Sequence, residues 1–138
     1  MANWYGTSRS NYFRVKDAEA FLKWADERGL GVFKHQHDEG VSAIHGGASA
    51  EDGSWPSYDM EEEEDEDIDL IDELAAHLYE DQIAVLMEIG AEKLRYLTGV
   101  AIAFNSKGAT VELILSDVFR TAAQTFHGPE STITRAEY

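Results

Sequence analysis

Residues 82–104, QIAVLMEIGAEKLRYLTGVAIAF, contain two consecutive segments with the alternation of β-strands. In residues 82–89 both alternating sets of positions are apolar, which is typical of a strand at the centre of a sheet. In residues 94–104 large apolar side chains alternate with small ones. The small residues are Gly99, Ala101 and Ala103. We expect a helix to pack closely against this small side.

The segments on either side of this region complete the predicted fold. Further strands are predicted at residues 11–16, 30–36, 41–45 and 110–115. Residues 105–108, NSKG, are predicted to form the hairpin loop before the last of these strands, with Gly108 where a positive φ is needed. One helix is predicted to begin after Asp17 and to end at Gly29, because Asp favours the N-cap and Gly the position after the last turn. Residues 1–10 are polar and are predicted to be a lead-in.

Two further helices follow the strand pattern. The second is predicted from about residue 68 to Tyr79, and the third begins after Ser116. The buried face of the third is predicted to consist of Val118, Phe119, Ala122, Ala123 and Phe126. The predicted order is βαββ-αβββα. It indicates the α+β class, with a mostly antiparallel sheet of five to six strands and three helices packed on it.

The bulk composition indicates one globular domain over residues 1–138. Apolar residues make up 43% of the chain, which is enough for a core, and there is no cysteine to form disulfides. No apolar segment is long enough to cross a membrane. We therefore expect a cytoplasmic protein. Within the domain we expect an acidic insert at about 46–67 and a loose C-terminal tail from about 130.

The insert leads into the most unusual segment of the chain, residues 59–73, DMEEEEDEDIDLIDE. Eleven of these fifteen residues are carboxylates. Between Lys34 and Lys93 the chain has no Lys or Arg, and this window holds 19 of its 27 acids. A net charge of −16 disfavours direct binding to nucleic acid or to anionic lipid and favours a basic partner.

The acidic residues run directly into the second predicted helix, so we expect a folded body to hold at least the end of the run. A fully helical run would span about 22 Å, at ~1.5 Å per residue, and would carry one charge per ~2 Å. Duplex DNA carries one charge per about 1.7 Å. The run is therefore a candidate imitation of a phosphate backbone.

We predict a partner-binding site made of these acids and of two aromatic residues that precede them. The aromatic residues, Trp55 and Tyr58, would supply an apolar hot spot. The predicted acidic residues are Asp59, Glu61, Glu62, Glu63, Glu64, Asp65, Glu66, Asp67, Asp69, Asp72 and Glu73.

Catalytic motifs are weak in this sequence. There is no cysteine nucleophile, no Gly-x-Ser-x-Gly motif and no phosphate-binding loop, so we expect a protein that is not an enzyme and needs no cofactor. His35 and His37, two residues apart at a strand end, leave a metal-dependent enzyme as one alternative. We expect instead that both histidines are exposed and bind no metal.

Two segments are similar to small proteins of phages and other mobile elements: residues 11–17, NYFRVKD, and 91–97, AEKLRYL. In charge, size and lack of cysteine, the chain resembles the DNA-mimic inhibitors among the anti-CRISPR and anti-restriction proteins. The resemblance implies an inhibitor that occupies the basic nucleic-acid-binding groove of a CRISPR effector complex or a restriction enzyme. The main alternative is an acidic interaction module with an apolar or aromatic interface. The sequence leaves open whether the chain is a monomer or a dimer.

Overall fold

The structure, a computed structural model, describes residues 4–38, 40–46, 55, 69–92, 96–129 and 133–134. Over these residues it contains one antiparallel sheet of seven strands and three α-helices, in the order ββαββαβββα. The predicted α+β class with an antiparallel sheet and three helices is confirmed. The strand count is seven, because the prediction left out the first strand.

The elements have the following bounds. The strands are β1 (Trp4–Ser10), β2 (Phe13–Arg14), β3 (Gly31–Lys34), β4 (Val41–His45), β5 (Ile83–Glu92), β6 (Tyr96–Asn105) and β7 (Thr110–Ile114). The helices are α1 (Ala18–Glu27), α2 (Leu70–His77) and α3 (Asp117–Thr125). The predicted acidic insert lies outside the described residues except for Gly46 and Trp55, and the predicted tail except for residues 133–134.

The sheet has the order β2-β4-β1-β5-β6-β7, and β3 also pairs with β4. β5 therefore lies between β1 and β6, which confirms the central position predicted from its two apolar faces. β5 and β6 pair without a break from Ile83–Asn105 to Glu92–Tyr96. β7 continues the sheet from β6 and is its edge strand among the described residues.

β1 corrects the prediction that residues 1–10 are a lead-in. The strand pairs with β5 along its whole length and with β4 at Arg9. Its inward side chains include Ser8 and Ser10, which are polar but buried. The Ser10 hydroxyl accepts a hydrogen bond from the Ile44 N–H at 2.8 Å, and the Ser8 hydroxyl accepts one from the Gly46 N–H at 3.2 Å. A polar segment can occupy the sheet centre because its hydroxyls satisfy β4 backbone groups.

The ends of α1 agree with the sequence prediction. The Asp17 side chain accepts a hydrogen bond from the Ala20 N–H at 3.2 Å and so caps the helix. Gly29 adopts a φ of 70°, a left-handed conformation that glycine reaches without steric cost and that stops the helix. The predicted β6–β7 loop is also observed, with Gly108 at a φ of 84°.

The hydrophobic core lies on one face of the sheet, where α1 and α2 cover it. Phe21 and Trp24 come from α1, and Leu74 comes from α2. The strands contribute residues from both sides of the sheet centre, among them Phe13, Ile44, Ala84, Leu86 and Phe104. The core fixes α2 to the sheet, and with α2 the end of the acidic segment.

Two packing predictions are wrong. α3 has no buried residue, although Val118, Phe119, Ala122, Ala123 and Phe126 were expected on a buried face. Helices were also expected against Ala101 and Ala103, but α1 and α2 cover the opposite face, where Ile102 and Phe104 point. Alternation along β6 shows which of its two faces carries the small side chains. It does not show which face of the sheet the helices cover.

Among the described residues, no helix combines the length and the apolar character needed to cross a membrane.

Candidate partner-binding site

The described residues include one end of the predicted partner-binding site and one of its aromatic residues. Trp55, Asp69, Asp72 and Glu73 are described. The other predicted members lie outside the described residues: Tyr58, Asp59, Glu61, Glu62, Glu63, Glu64, Asp65, Glu66 and Asp67. The partner-binding role of all of them stays a prediction.

Asp69 forms the junction between the acidic segment and α2. Its side chain caps the helix by accepting a hydrogen bond from the Asp72 N–H at 3.0 Å, and its backbone carbonyl accepts one from the Glu73 N–H at 3.0 Å. A carboxylate at this position also interacts favourably with the positive end of the helix dipole. The start of α2 is therefore a stable position for negative charge.

Asp72 lies one turn further along α2 and is exposed. Its pKa is raised from its ordinary value, first by the hydrogen bond between its side chain and that of Asp69 and then by the negative charge of Asp69. A raised carboxyl pKa means that the second negative charge is disfavoured by the first. The two residues thus concentrate negative charge at the N-terminus of α2, where a positively charged partner would relieve their repulsion.

Glu73 has a different environment, because its carboxylate is already paired within the chain. Arg28 at the end of α1 donates two hydrogen bonds to it, from Nε at 2.8 Å and from Nη2 at 2.7 Å. The Trp24 indole N–H donates a third at 2.8 Å. The hydrogen bond with Arg28 is the main reason that the pKa of Glu73 lies below its usual value, and the same bond raises the pKa of Arg28. Glu73 joins α1 to α2.

Trp55 is held on the central strand β5. Its backbone N–H donates a hydrogen bond to the Glu88 side chain at 2.9 Å, and its indole N–H donates one to the Met87 carbonyl at 3.1 Å. The side chain is partly buried and packs against the core. The chain on both sides of residues 56–68 therefore contacts the folded body, at β5 before them and at α2 after them.

Two exposed acids of the described chain were not singled out from the sequence. Glu80 and Asp81 lie in the turn between α2 and β5, and the Glu80 carbonyl accepts a hydrogen bond from the Ser106 hydroxyl at 3.1 Å. The sequence feature that could have identified them is their position inside the window without Lys or Arg. They place further negative charge at the C-terminal end of α2.

His35 and His37 lie near each other after β3. Their ring centroids are 6.0 Å apart, and the His35 Nδ1 accepts a hydrogen bond from the His37 backbone N–H at 3.1 Å. Asp38 forms an ion pair with Arg14 at 2.6 Å. Among the described residues, which do not include Glu39, no three histidine, aspartate or glutamate side chains are grouped to bind a metal. The metal-dependent alternative therefore depends on two candidate ligands, His35 and His37.

An apolar surface lies on the sheet face opposite the helices. We call it the open face and define it by the exposed residues Met87, Ile89, Leu97, Val111, Leu113 and Leu115. Two shallow concavities of about 430 and 350 Å³ lie along it and share Thr7 and Ile89. Arg9, Phe33 and His45 line the end of the second concavity, where the centroids of the Phe33 and His45 rings lie 4.7 Å apart with the rings tilted by 35°. This surface is the structural basis of the apolar-interface alternative.

Comparison of the chain with protein-family models, with curated proteins and with solved structures gives no significant match.

Proposed function

We propose that this protein is an acidic inhibitor that imitates DNA. It occupies the basic nucleic-acid-binding groove of a bacterial defence complex, either a CRISPR effector or a restriction enzyme, and so prevents DNA from binding there. It acts without catalysis in the cytoplasm of the host bacterium. The observation that carries the proposal is the window between Lys34 and Lys93, which holds 19 acids and no Lys or Arg.

The physical basis is the similarity between carboxylates and phosphates as hydrogen-bond acceptors. A groove that binds DNA positions Lys and Arg side chains toward phosphate oxygens. Carboxylates accept the same charge-assisted hydrogen bonds, including the bidentate bonds of Arg. Long-range attraction also accelerates association with a positively charged target. A dense acidic segment can therefore compete with DNA for the groove.

The described residues support the proposal in two ways. Asp69 and Asp72 concentrate negative charge at the start of α2, and the core holds this helix against the sheet. Trp55 connects the chain before the acidic run to β5. The mimic surface we propose therefore consists of residues 61–67 together with Asp69 and Asp72. Glu73 contributes less, because Arg28 already neutralises its charge.

The test begins with affinity purification of the tagged protein from a bacterial host, followed by DNA competition against the identified target in a gel-shift assay. We would reverse the charge of Glu62, Glu64, Asp65 and Asp67. Asp69 is left unchanged because its side chain caps α2. We expect this variant to lose competition with DNA.

A matched control reverses four exposed acids outside the acidic window: Glu19, Asp26, Glu27 and Glu112. Both variants change the net charge by the same amount, so only the position of the charges differs. The control is expected to keep most of its competition with DNA. Equal competition by both variants, or a captured target without a nucleic-acid-binding groove, would refute the proposal.

The second candidate function is an interaction module that binds a partner through an apolar surface. The observation that favours it is the open face, where Val111 and Leu113 are 68% and 67% exposed. In this case the acids would serve mainly to keep the protein soluble. An apolar interface responds little to salt, so a partner complex that persists at high salt would favour this candidate.

A further inference from the structure

The C-terminal part of the described chain leaves an unusual amount of apolar surface exposed. In the part of the chain that the structure describes, β7 is an edge strand of the sheet, and each of its residues is exposed. Val118 of α3 and Phe126, the C-cap residue that follows this helix, are 58% and 78% exposed. Apolar edge strands are normally covered, because they present both hydrophobic side chains and unpaired backbone groups to other chains. The region from β7 through α3 therefore has the features of an interface.

The area of this surface fits a stable protein interface. At roughly 150 to 200 Å² for a large apolar residue, the open face together with Val118 and Phe126 exposes on the order of 800 Å². A standard interface buries about 800 Å² on each partner, and the largest apolar patch of a typical monomer is about 300 to 600 Å². The exposed surface is thus sufficient for one half of a specific interface.

The distribution of charge limits what can cover this surface. The described residues of β5, β6 and β7 that point to the open face, which alternate along each strand, are all uncharged. Glu88 and Glu112 point to the opposite face. On this face, these three strands therefore offer no charged side chain to a basic groove or a nucleic acid, and the charged residues of α3, Asp117 and Arg120, pair with each other at 3.1 Å. In a chain of net charge −16, this is a surface where a second acidic molecule can approach with little direct repulsion.

A twofold axis brings the same surface of two identical chains together. Two sheets that pack face to face lie about 10 Å apart, and the side chains of their inner faces interdigitate. From the apolar area and the lack of charge on these strands, we propose that a second copy of this chain covers the open face, β7 and α3. The product is a homodimer in which the two open faces pack against each other.

This homodimer does not depend on the proposed DNA mimicry, because the residues that define its surface, on the open face, β7 and α3, include none of the acids proposed for the mimic surface. It does bear on the second candidate function. If a second copy covers the open face, that face is not available to a foreign partner. Self-association and target binding can be measured separately, so failure of one proposal leaves the other intact.

The test measures the mass of the full chain by sedimentation equilibrium from low to high micromolar concentration. We expect the mass of two chains, with dissociation on dilution. Leu113→Glu places a charge at the centre of the interface and is expected to weaken self-association by at least about tenfold. Phe126→Glu, at the 78% exposed C-cap residue of α3, should weaken it in the same direction while leaving the core untouched.

The matched control is Leu22→Glu, which adds the same charge at an exposed leucine of α1 outside the proposed interface. It should dimerise as the unchanged protein does. Circular dichroism of each variant establishes that it is folded. A wild-type chain that stays monomeric at every concentration overturns the proposal, and so does a folded Leu113→Glu or Phe126→Glu variant that dimerises as tightly as the control.

Discussion

Arg28 donates two hydrogen bonds to Glu73, at 2.8 and 2.7 Å, and thereby joins the C-terminal end of α1 to the first turn of α2. The pair connects two helices that are far apart in sequence. It also neutralises one carboxylate of the acidic segment. One acid of the acidic segment thus helps to hold α2 in place.

Replacing Glu73 by Gln should destabilise the fold. The change removes the charge from bonds with Arg28 and Trp24, and hydrogen bonds to charged groups contribute about 1.5 to 3 kcal/mol. Both side chains of the pair are about one-third exposed, so solvent screening reduces the expected loss to about 1 to 2 kcal/mol. Urea denaturation would measure this loss. Asp72→Asn removes a neighbouring charge without breaking the pair, and it should leave the midpoint unchanged or raise it slightly because it relieves repulsion with Asp69.

The contribution of this pair should depend on pH. The pKa of Glu73 in the folded protein lies below its ordinary value of 4.5, chiefly because of the hydrogen bond with Arg28. Because the unfolded chain takes up the proton first, the stabilisation is complete above pH 4.5 and is lost as the pH falls through the folded pKa. The difference in unfolding free energy between wild type and Glu73→Gln should shrink over that range. A difference that stays constant from neutral to acid pH would contradict this assignment.

Leu74 anchors α2 in the core and has no exposed surface. Replacing it by Ala should cost about 2 to 5 kcal/mol, because burial of the removed atoms is lost and a cavity remains. The control Leu22→Ala shortens an exposed leucine of α1 and should cost less than about 1 kcal/mol. Equal midpoints of the two variants in urea denaturation would show that α2 does not depend on this contact.

Salt should act in opposite directions on the two proposed interactions. Binding of the acidic segment to a basic groove should weaken steeply between about 50 and 500 mM salt, because screening removes the attraction between opposite charges. Self-association through the apolar surface should strengthen or stay constant, because screening reduces repulsion between two acidic chains. Sedimentation and target binding, measured across the same salt series, would check both. Weakening of the dimer with salt would indicate a charged interface elsewhere on the chain.

The sequence predicted those parts of the fold where local pattern and burial agree. The central position of β5, the cap at Asp17 and the left-handed glycines at Gly29 and Gly108 depend on short-range chemistry, and the structure confirms them. β1 was missed because its inward residues Ser8 and Ser10 are polar. Their burial depends on hydrogen bonds to β4, which is distant in sequence.

For α3, the sequence predicted the local structure but not the packing. Its amphipathic spacing predicted a helix correctly, but spacing cannot identify the surface that the apolar side contacts. Phe126 was expected in the core of its own chain and is the most exposed of the large apolar residues described. At the candidate site, the sequence located the acidic residues but could not show that Glu73 is paired, because Arg28 lies 45 residues away.

The anchoring of Trp55 on β5 and of Asp69 on α2 has a consequence for the cooperativity of unfolding. Trp55 donates a hydrogen bond to the Met87 carbonyl of β5 and Asp69 caps α2, so both residues are attached to elements that share one hydrophobic core. Unfolding of that core would therefore release both residues in a single cooperative step.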